Sequence, residues 1–174
     1  MTDFFRREIA AYADYHRDER NAATHIFGIP IIFVSVVLPL DLWTVAPFGV
    51  QTAAANLIVA AVLIVWIALD IGVGLALVVA VIPLMLAAAA IAANVGTLAV
   101  WLIAVVLFVV GWALQILGHA RFEHRRPALL DNPVHLLIGP MFIMAKLLVA
   151  LGLRRDLAAI IEPTPRGEPR RAAL

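Results

Sequence analysis

The chain has 174 residues, of which 64% are hydrophobic and 14% charged, and its net charge is +1. Its mean hydropathy of +1.00 is far from that of soluble domains, where about 45–50% of residues are apolar, so the bilayer is expected to be its solvent. It contains no cysteine, which excludes disulfides, thiolate metal sites, iron–sulfur clusters and cysteine nucleophiles; any metal must take imidazole, carboxylate or water.

Residues 3–20 set Phe4, Phe5, Ile9, Tyr12 and Tyr15 among charges at roughly helical spacing, which predicts an amphipathic helix at the membrane interface. The same stretch is too polar to hold the apolar core of a secretory signal and is expected to belong to the mature protein. Four apolar segments follow: Ile26 to about Trp43, with Pro30 expected in its first turn; Ala53 to Leu69; Ile71 to Ala93, kinked at Pro83; and Leu98 to Leu117. The last has the length of about 20 residues that a 30 Å hydrocarbon core requires. A fifth apolar run, Val134 to Leu151, is interrupted by Gly139–Pro140 and carries Lys146.

Charge placement decides the topology. Arginines cluster near the N-terminus, at 121–126 and after 153, whereas 44–56 and 94–97 hold no Lys or Arg. Positive charge favours the cytoplasmic side, and only four crossings bring all three basic regions to one face. The expected fold is therefore an all-α membrane protein: about four transmembrane helices, the N-terminal amphipathic helix, and a C-terminal re-entrant or interfacial helix over 134–151. Residues 1–161 are expected to form a single domain, and 162–174, rich in Pro and charge, a disordered tail. The arginines are accounted for as topology signals, which disfavours nucleic acid as a partner.

The polar residues of the middle read mainly as local structure. Ser35 should bond a backbone carbonyl one turn back, and Asp70 and Asn94 should sit at turns. All five histidines, His16, His25, His119, His124 and His135, lie outside the apolar middle, in stretches that four crossings return to the same face. Polarity alone would also keep them from lipid. His119 and Glu123, however, are four apart and share a helical face, while His124 falls about 140° from His119 on the same wheel and ranks below Glu123. His16 and His25, nine apart, can converge only if the chain bends between them, and Asn21 and Thr24 favour caps over helix interiors. Gln115 lies one turn before His119. Imidazoles and a carboxylate without sulfur suit Fe(II), Zn, Mn or Ni. Metal-free general bases remain a competing chemistry, though no serine elbow, HExxH helix or phosphate loop accompanies the histidines. A scaffold or transporter that uses them for pH sensing or packing is the non-enzymatic alternative.

Two motifs, YADYHRDERNAATHIFGIP near the start and QILGHARFEHRRPALLDNPVHLLIGPMF near the end, resemble those of the Fe(II)-dependent 2-hydroxy fatty acid dioxygenase family. The resemblance implies α-oxidation, in which O2 and a 2-hydroxy fatty acid give a fatty acid one carbon shorter, as against the two-iron fatty acid hydroxylases, which need more histidines. It implies essential roles for His16, His25 and His119, with Glu123 matching the acidic residue that follows and His135 a possible fifth ligand. It makes Asn21 and Gln115 candidate partners that orient the ligating histidines, and Arg20, Arg121 or Arg125 candidates to meet the substrate carboxylate. The chain departs from the family pattern at His124, where a basic residue is expected, and at Lys146, near which many members are acidic. The expected cofactor is Fe(II), held on the cytoplasmic face of a cytoplasmic membrane if the source is bacterial.

Overall fold

The computed structural model describes residues 1–162, which are built almost wholly of helix. The last residues of the tail expected to be disordered, 163–174, lie outside the described residues. Helix α1 (Asp3–Asp14) starts at Thr2, whose hydroxyl accepts the Phe5 N–H at 3.1 Å. It buries Phe5, Ile9, Tyr12 and Ala13 along one face, as an amphipathic helix should.

Helix α2 (Glu19–Leu40) starts seven residues before the apolar stretch it contains. The Asp18 carboxylate caps it by accepting the Arg20 N–H at 2.8 Å. The bend between His16 and His25 is therefore made at Asp18, and Asn21 and Thr24, expected to make it, lie inside the helix. Pro30 is correspondingly in mid-helix, away from the first turn. The reason is general: hydropathy marks where a helix meets lipid, whereas the cap marks where it begins.

A short antiparallel hairpin, β1 (Thr44–Val45) with β2 (Thr52–Ala53), turns the chain back into α3 (Ala54–Leu69). Asp70 alone separates α3 from α4 (Ile71–Asn94), and its Oδ1 caps α4 by accepting the Val73 N–H at 2.9 Å. Asn94 closes α4, bonding the Ala90 carbonyl, and Ser35 bonds the Ile32 carbonyl at 2.6 Å, so both have the local roles expected. Helix α5 (Thr97–Gly118) ends in a π-helical turn, His119–Glu123. Helices α6 (His135–Ala150) and α7 (Arg155–Ile161) complete the described chain.

Helices α2, α4 and α5 are long and apolar enough to cross a membrane. The fourth expected span, α3, has 16 residues, or about 24 Å of helix, less than a 30 Å core. The closest pairing is α2 with α5. A β-carbon on Gly28 would lie 3.2 Å from the Gly111 carbonyl, and one on Gly111 would lie 3.1 Å from Ile32 N; the two backbones can approach because both residues lack side chains.

The ends of α6 show how the C-terminal segment lies. His135, its first residue, packs edge-on against Tyr12 with ring centroids 5.4 Å apart. Just beyond its other end, Arg154 donates to both Asp70 oxygens at 2.7 and 3.0 Å. The chain passes from the start of α2 through α3 to Asp70, then through α4 and α5 to His119, so Asp70 and the histidines lie at one end of the bundle. Helix α6 begins and finishes at that end, an arrangement compatible with the re-entrant or interfacial segment expected. The Trp66 indole ties it to α3 by donating to the Leu137 carbonyl at 3.0 Å.

Candidate metal centre

Three of the five histidines meet. His16 follows α1, His25 lies in the second turn of α2 and His119 at the end of α5, and one ring nitrogen or another of each lies within 4.8 Å of those of the other two. The rings stand nearly perpendicular, with centroids 4.6, 4.7 and 5.1 Å apart, and all three are buried. Burial, with His25 beside it, holds the His16 imidazole well below its ordinary pKa.

The hydrogen bonds fix which nitrogens face one another. His16 Nδ1 lies 2.9 Å from the Tyr12 carbonyl, and His25 Nδ1 lies 2.9 Å from the Asn21 carbonyl. A carbonyl only accepts, so Nδ1 carries the proton in both rings and Nε2 carries a lone pair. Yet the two Nε2 atoms are 3.1 Å apart. Two lone pairs at that distance repel, and a cation between them removes the conflict. His119 Nδ1, buried beside them, has no hydrogen-bond partner. An Nδ1–H held by a carbonyl with Nε2 turned inward is how metal-ligating histidines are oriented. The residues present thus fit a divalent first-row metal.

Among the described residues, Glu123 is not part of this group. Its Oε1 accepts the Asp18 N–H at 2.9 Å and the Asn21 side-chain amide at 3.2 Å. The unsatisfied N–H groups and positive dipole end of α2 attract a carboxylate, and Glu123 sits there. Asn21 acts on His25 through its backbone carbonyl, while its side chain is the grip for Glu123. His135 stands apart as well: its Nδ1 lies 3.1 Å from the Ala128 carbonyl, and its Nε2 is 3.4 Å from Glu8 Oε2 without hydrogen-bond geometry. His124 is exposed and takes a left-handed conformation, φ 53°, that ends the π turn.

A cavity of about 380 Å³ runs from the histidines into the bundle. His25, His119, His135 and Gln115 line its polar end, and Phe33, Val37, Val81 and Leu84 are among its apolar walls. Ile26, Val36 and Leu136 both line it and are exposed, so its rim is apolar. None of the three candidate arginines lines it. Arg20 is held by Asp18 at 2.8 Å and covers Phe122, Arg125 covers Tyr15 and donates to the Asp14 carbonyl, and Arg121 is exposed on the π turn.

Sequence reasoning missed Tyr12, Glu8 and Trp112. Tyr12 stacks on His16 with centroids 4.1 Å apart and supplies its carbonyl. A signal for it existed, since Tyr12–His16 and Asn21–His25 share the same four-residue spacing.

Fold and site together define an all-α membrane protein whose three buried histidines stand at the head of an apolar cavity. The chain belongs to the Mpo1-like family, whose model, described as 2-hydroxy-palmitic acid dioxygenase Mpo1-like, matches residues 2–151. It is 49% identical over 57 residues to a Saccharomyces cerevisiae protein named 2-hydroxy-palmitic acid dioxygenase MPO1. That alignment covers 32% of this chain and 33% of the yeast protein. No solved structure matches.

Proposed function

We propose that this protein is a membrane-bound, Fe(II)-dependent dioxygenase that converts 2-hydroxy fatty acids by α-oxidation to fatty acids one carbon shorter. The observation that carries the reading is the pair of Nε2 lone pairs 3.1 Å apart, with the unpartnered His119 Nδ1 beside them, at the head of a cavity shaped for an alkyl chain. The family and the name of the yeast relative supply the substrate class.

His16, His25 and His119 would hold Fe(II), which when bound supplies the activation of O2 that the reaction needs. Tyr12 and Asn21 keep the protons of His16 and His25 on Nδ1, away from the metal. Glu123 holds the start of α2 against the end of α5, so that His25 and His119 stay together. His135 closes the cavity beside the centre, where a further ligand or the substrate head could meet it. The apolar rim lets an acyl chain enter from the bilayer, and the apolar walls exclude water from the reacting end. The basic residues at the histidine end, against none in 44–56 or 94–97, support a site on the cytoplasmic face of the membrane.

The test is the iron content of the detergent-purified protein beside His25→Ala and His119→Ala, followed by O2 uptake on addition of 2-hydroxyhexadecanoate. Wild type should carry iron and consume O2 only with the substrate, and both variants should lose iron and uptake together. A folded wild type that takes up no Fe(II) would refute the proposal and favour a scaffold or transporter.

A further inference from the structure

Two histidines of the chain are each followed, five residues on, by a proline: His25 by Pro30 in THIFGIP, and His135 by Pro140 in VHLLIGP. Both prolines lie inside helices, Pro30 in α2 and Pro140 in α6. A proline has no N–H, so the carbonyl four residues before it loses its helical donor. The carbonyls released in this way are those of Ile26 and Leu136, each directly after a histidine.

The released groups face the cavity. In an α-helix the N–H of one residue stands over the carbonyl four residues earlier, on the arc between the two side chains. Ile26 and Pro30 both line the cavity, as do Leu136 and Pro140, so the two carbonyls lie on its walls. Ile26 and Leu136 are also exposed, which places them on the rim at the histidine end. Pro39 and Pro83, the other prolines inside the described α-helices, do not line the cavity, and neither stands five residues after a histidine. The indole N–H of Trp66, a donor on the cavity wall, is taken by the carbonyl of Leu137.

A carbonyl without a donor is costly at membrane depth, where no water replaces the missing bond. An acceptor in that position favours a ligand that brings a hydrogen. On an ionised 2-hydroxy acid only the hydroxyl has one to give, whereas the carboxylate only accepts and is repelled. Resting on the dioxygenase reading, we propose that the carbonyls of Ile26 and Leu136, held open by Pro30 and Pro140, accept the hydrogen of the ligand's 2-hydroxyl and so select 2-hydroxy acids over plain fatty acids. They turn the hydroxyl toward α2 and α6 and the carboxylate away from both, and they carry no charge into lipid-facing helices.

The experiment is anaerobic calorimetric titration of the iron-loaded, detergent-purified protein with 2-hydroxyhexadecanoate, hexadecanoate and 2-fluorohexadecanoate, the last bearing a 2-substituent with no hydrogen to give. Wild type is compared with Pro30→Ala, Pro140→Ala and, as a control, Pro83→Ala, with iron content and helicity measured on each. Alanine restores the missing N–H, which engages the carbonyl within the helix, so each variant removes an acceptor while favouring its helix. Pro30→Ala or Pro140→Ala should weaken binding of the 2-hydroxy acid about 3- to 10-fold, the range of one neutral hydrogen bond, with iron content and the affinities for the other two acids unchanged. Weakening in one variant identifies the contact, and weakening in both shows that the carbonyls act together. Unchanged affinity in both variants overturns the proposal. Equal weakening for all three acids also overturns it, because a change of cavity shape does not single out the hydroxyl, as does a matching loss in Pro83→Ala. Iron lost in step with affinity overturns it too, by making the prolines supports for the histidines. Wild type that prefers the 2-hydroxy acid but takes up no O2 in air would fail the dioxygenase reading and leave the acceptor test readable.

Discussion

Glu123 is where spacing and structure suggest different roles, and its replacement separates them. Its Oε1 bonds the Asp18 N–H at 2.9 Å and the amide of Asn21 at 3.2 Å, and Asn21, fully buried, presents its carbonyl to His25. Glu123→Gln keeps a carbonyl oxygen in place and loses only the charge assistance of two bonds. A charge-assisted bond contributes about 1.5–3 kcal/mol and a neutral one about 0.5–1.5, so the half-buried pair should lose about 1–2 kcal/mol. Glu123→Ala strands the Asn21 amide and should cost about 3 kcal/mol. For a chain of this size 1 kcal/mol moves Tm by about 2–4 °C, so Tm should fall by about 2–8 °C for Gln and about 6–12 °C for Ala. Thermal unfolding in detergent is measured in parallel with iron stoichiometry at saturating Fe(II). The Gln variant should hold as much iron as wild type, and the Ala variant should bind it about 10- to 100-fold more weakly through the loosened His25. A Gln variant that unfolds at the wild-type temperature yet holds no iron would make the carboxylate a direct ligand and refute the reasoning.

Gly118→Ala should act on the same joint. Its β-carbon would lie 2.5 Å from Asn21 Oδ1 and 3.2 Å from Thr24 Cβ, so overpacking should cost about 1–3 kcal/mol, and iron affinity should fall with Tm. At the other end of the interfacial layer, Asp70→Ala removes the α4 cap and leaves Arg154 without its buried partner, for a loss of about 3 kcal/mol. Thermal unfolding should report it, with iron content at a fixed excess of metal unchanged. The pH dependence of the metal-free protein tests His16. Burial holds its folded pKa well below 6.5, so below pH 6.5 the unfolded chain binds a proton that the folded one does not. His16 should therefore contribute about 1.4 kcal/mol per pH unit to the fall in stability with acidification, and that contribution should level off only where folded His16 protonates. Chemical denaturation between pH 7.5 and 5 measures the slope, and replacement of His16 should reduce it.

The fold was largely legible because hydropathy and arginine placement are strong signals in a membrane protein. They predicted the apolar segments, the amphipathic α1 and a separate C-terminal helix, α6. They did not mark where α2 begins, since Asp18 and the first turn of the helix are polar and indistinguishable by hydropathy from a loop. The convergence of His16, His25 and His119 was legible from topology. The place of Glu123 was not: spacing puts it on His119's face, but the carboxylate goes to the N–H groups of α2, a partner more than a hundred residues away. The arginines misled in the same manner. Their charge suited a substrate carboxylate, yet Asp18, Tyr15 and Phe122, none of them marked as a partner by spacing, hold two of them outside the cavity.

The position of the centre follows from a conflict between its needs and its solvent. Imidazoles must be buried to present bare lone pairs, and in a membrane interior most backbone groups that could hold their remaining protons already serve helix hydrogen bonds, although a carbonyl such as that of Asn21 can accept the His25 proton as well. Helix ends are the exception, since the last carbonyls and first N–H groups of each helix lack intrahelical partners. His16 draws on the Tyr12 carbonyl at the end of α1, and His119 lies where α5 widens into a π turn. Glu123 answers the free N–H groups at the start of α2. A centre assembled this way requires several helix termini at one depth, and an even number of passes between α2 and α5 supplies them. The glycine contacts of Gly28 with Gly111, and of Gly118 with Asn21 and Thr24, then bring α2 and α5 close enough for His25 and His119 to face one another. In this chain the packing of two lipid-facing helices and the geometry of the histidine centre are one problem, which is why a methyl group on Gly118 should be read out in iron affinity as well as in stability.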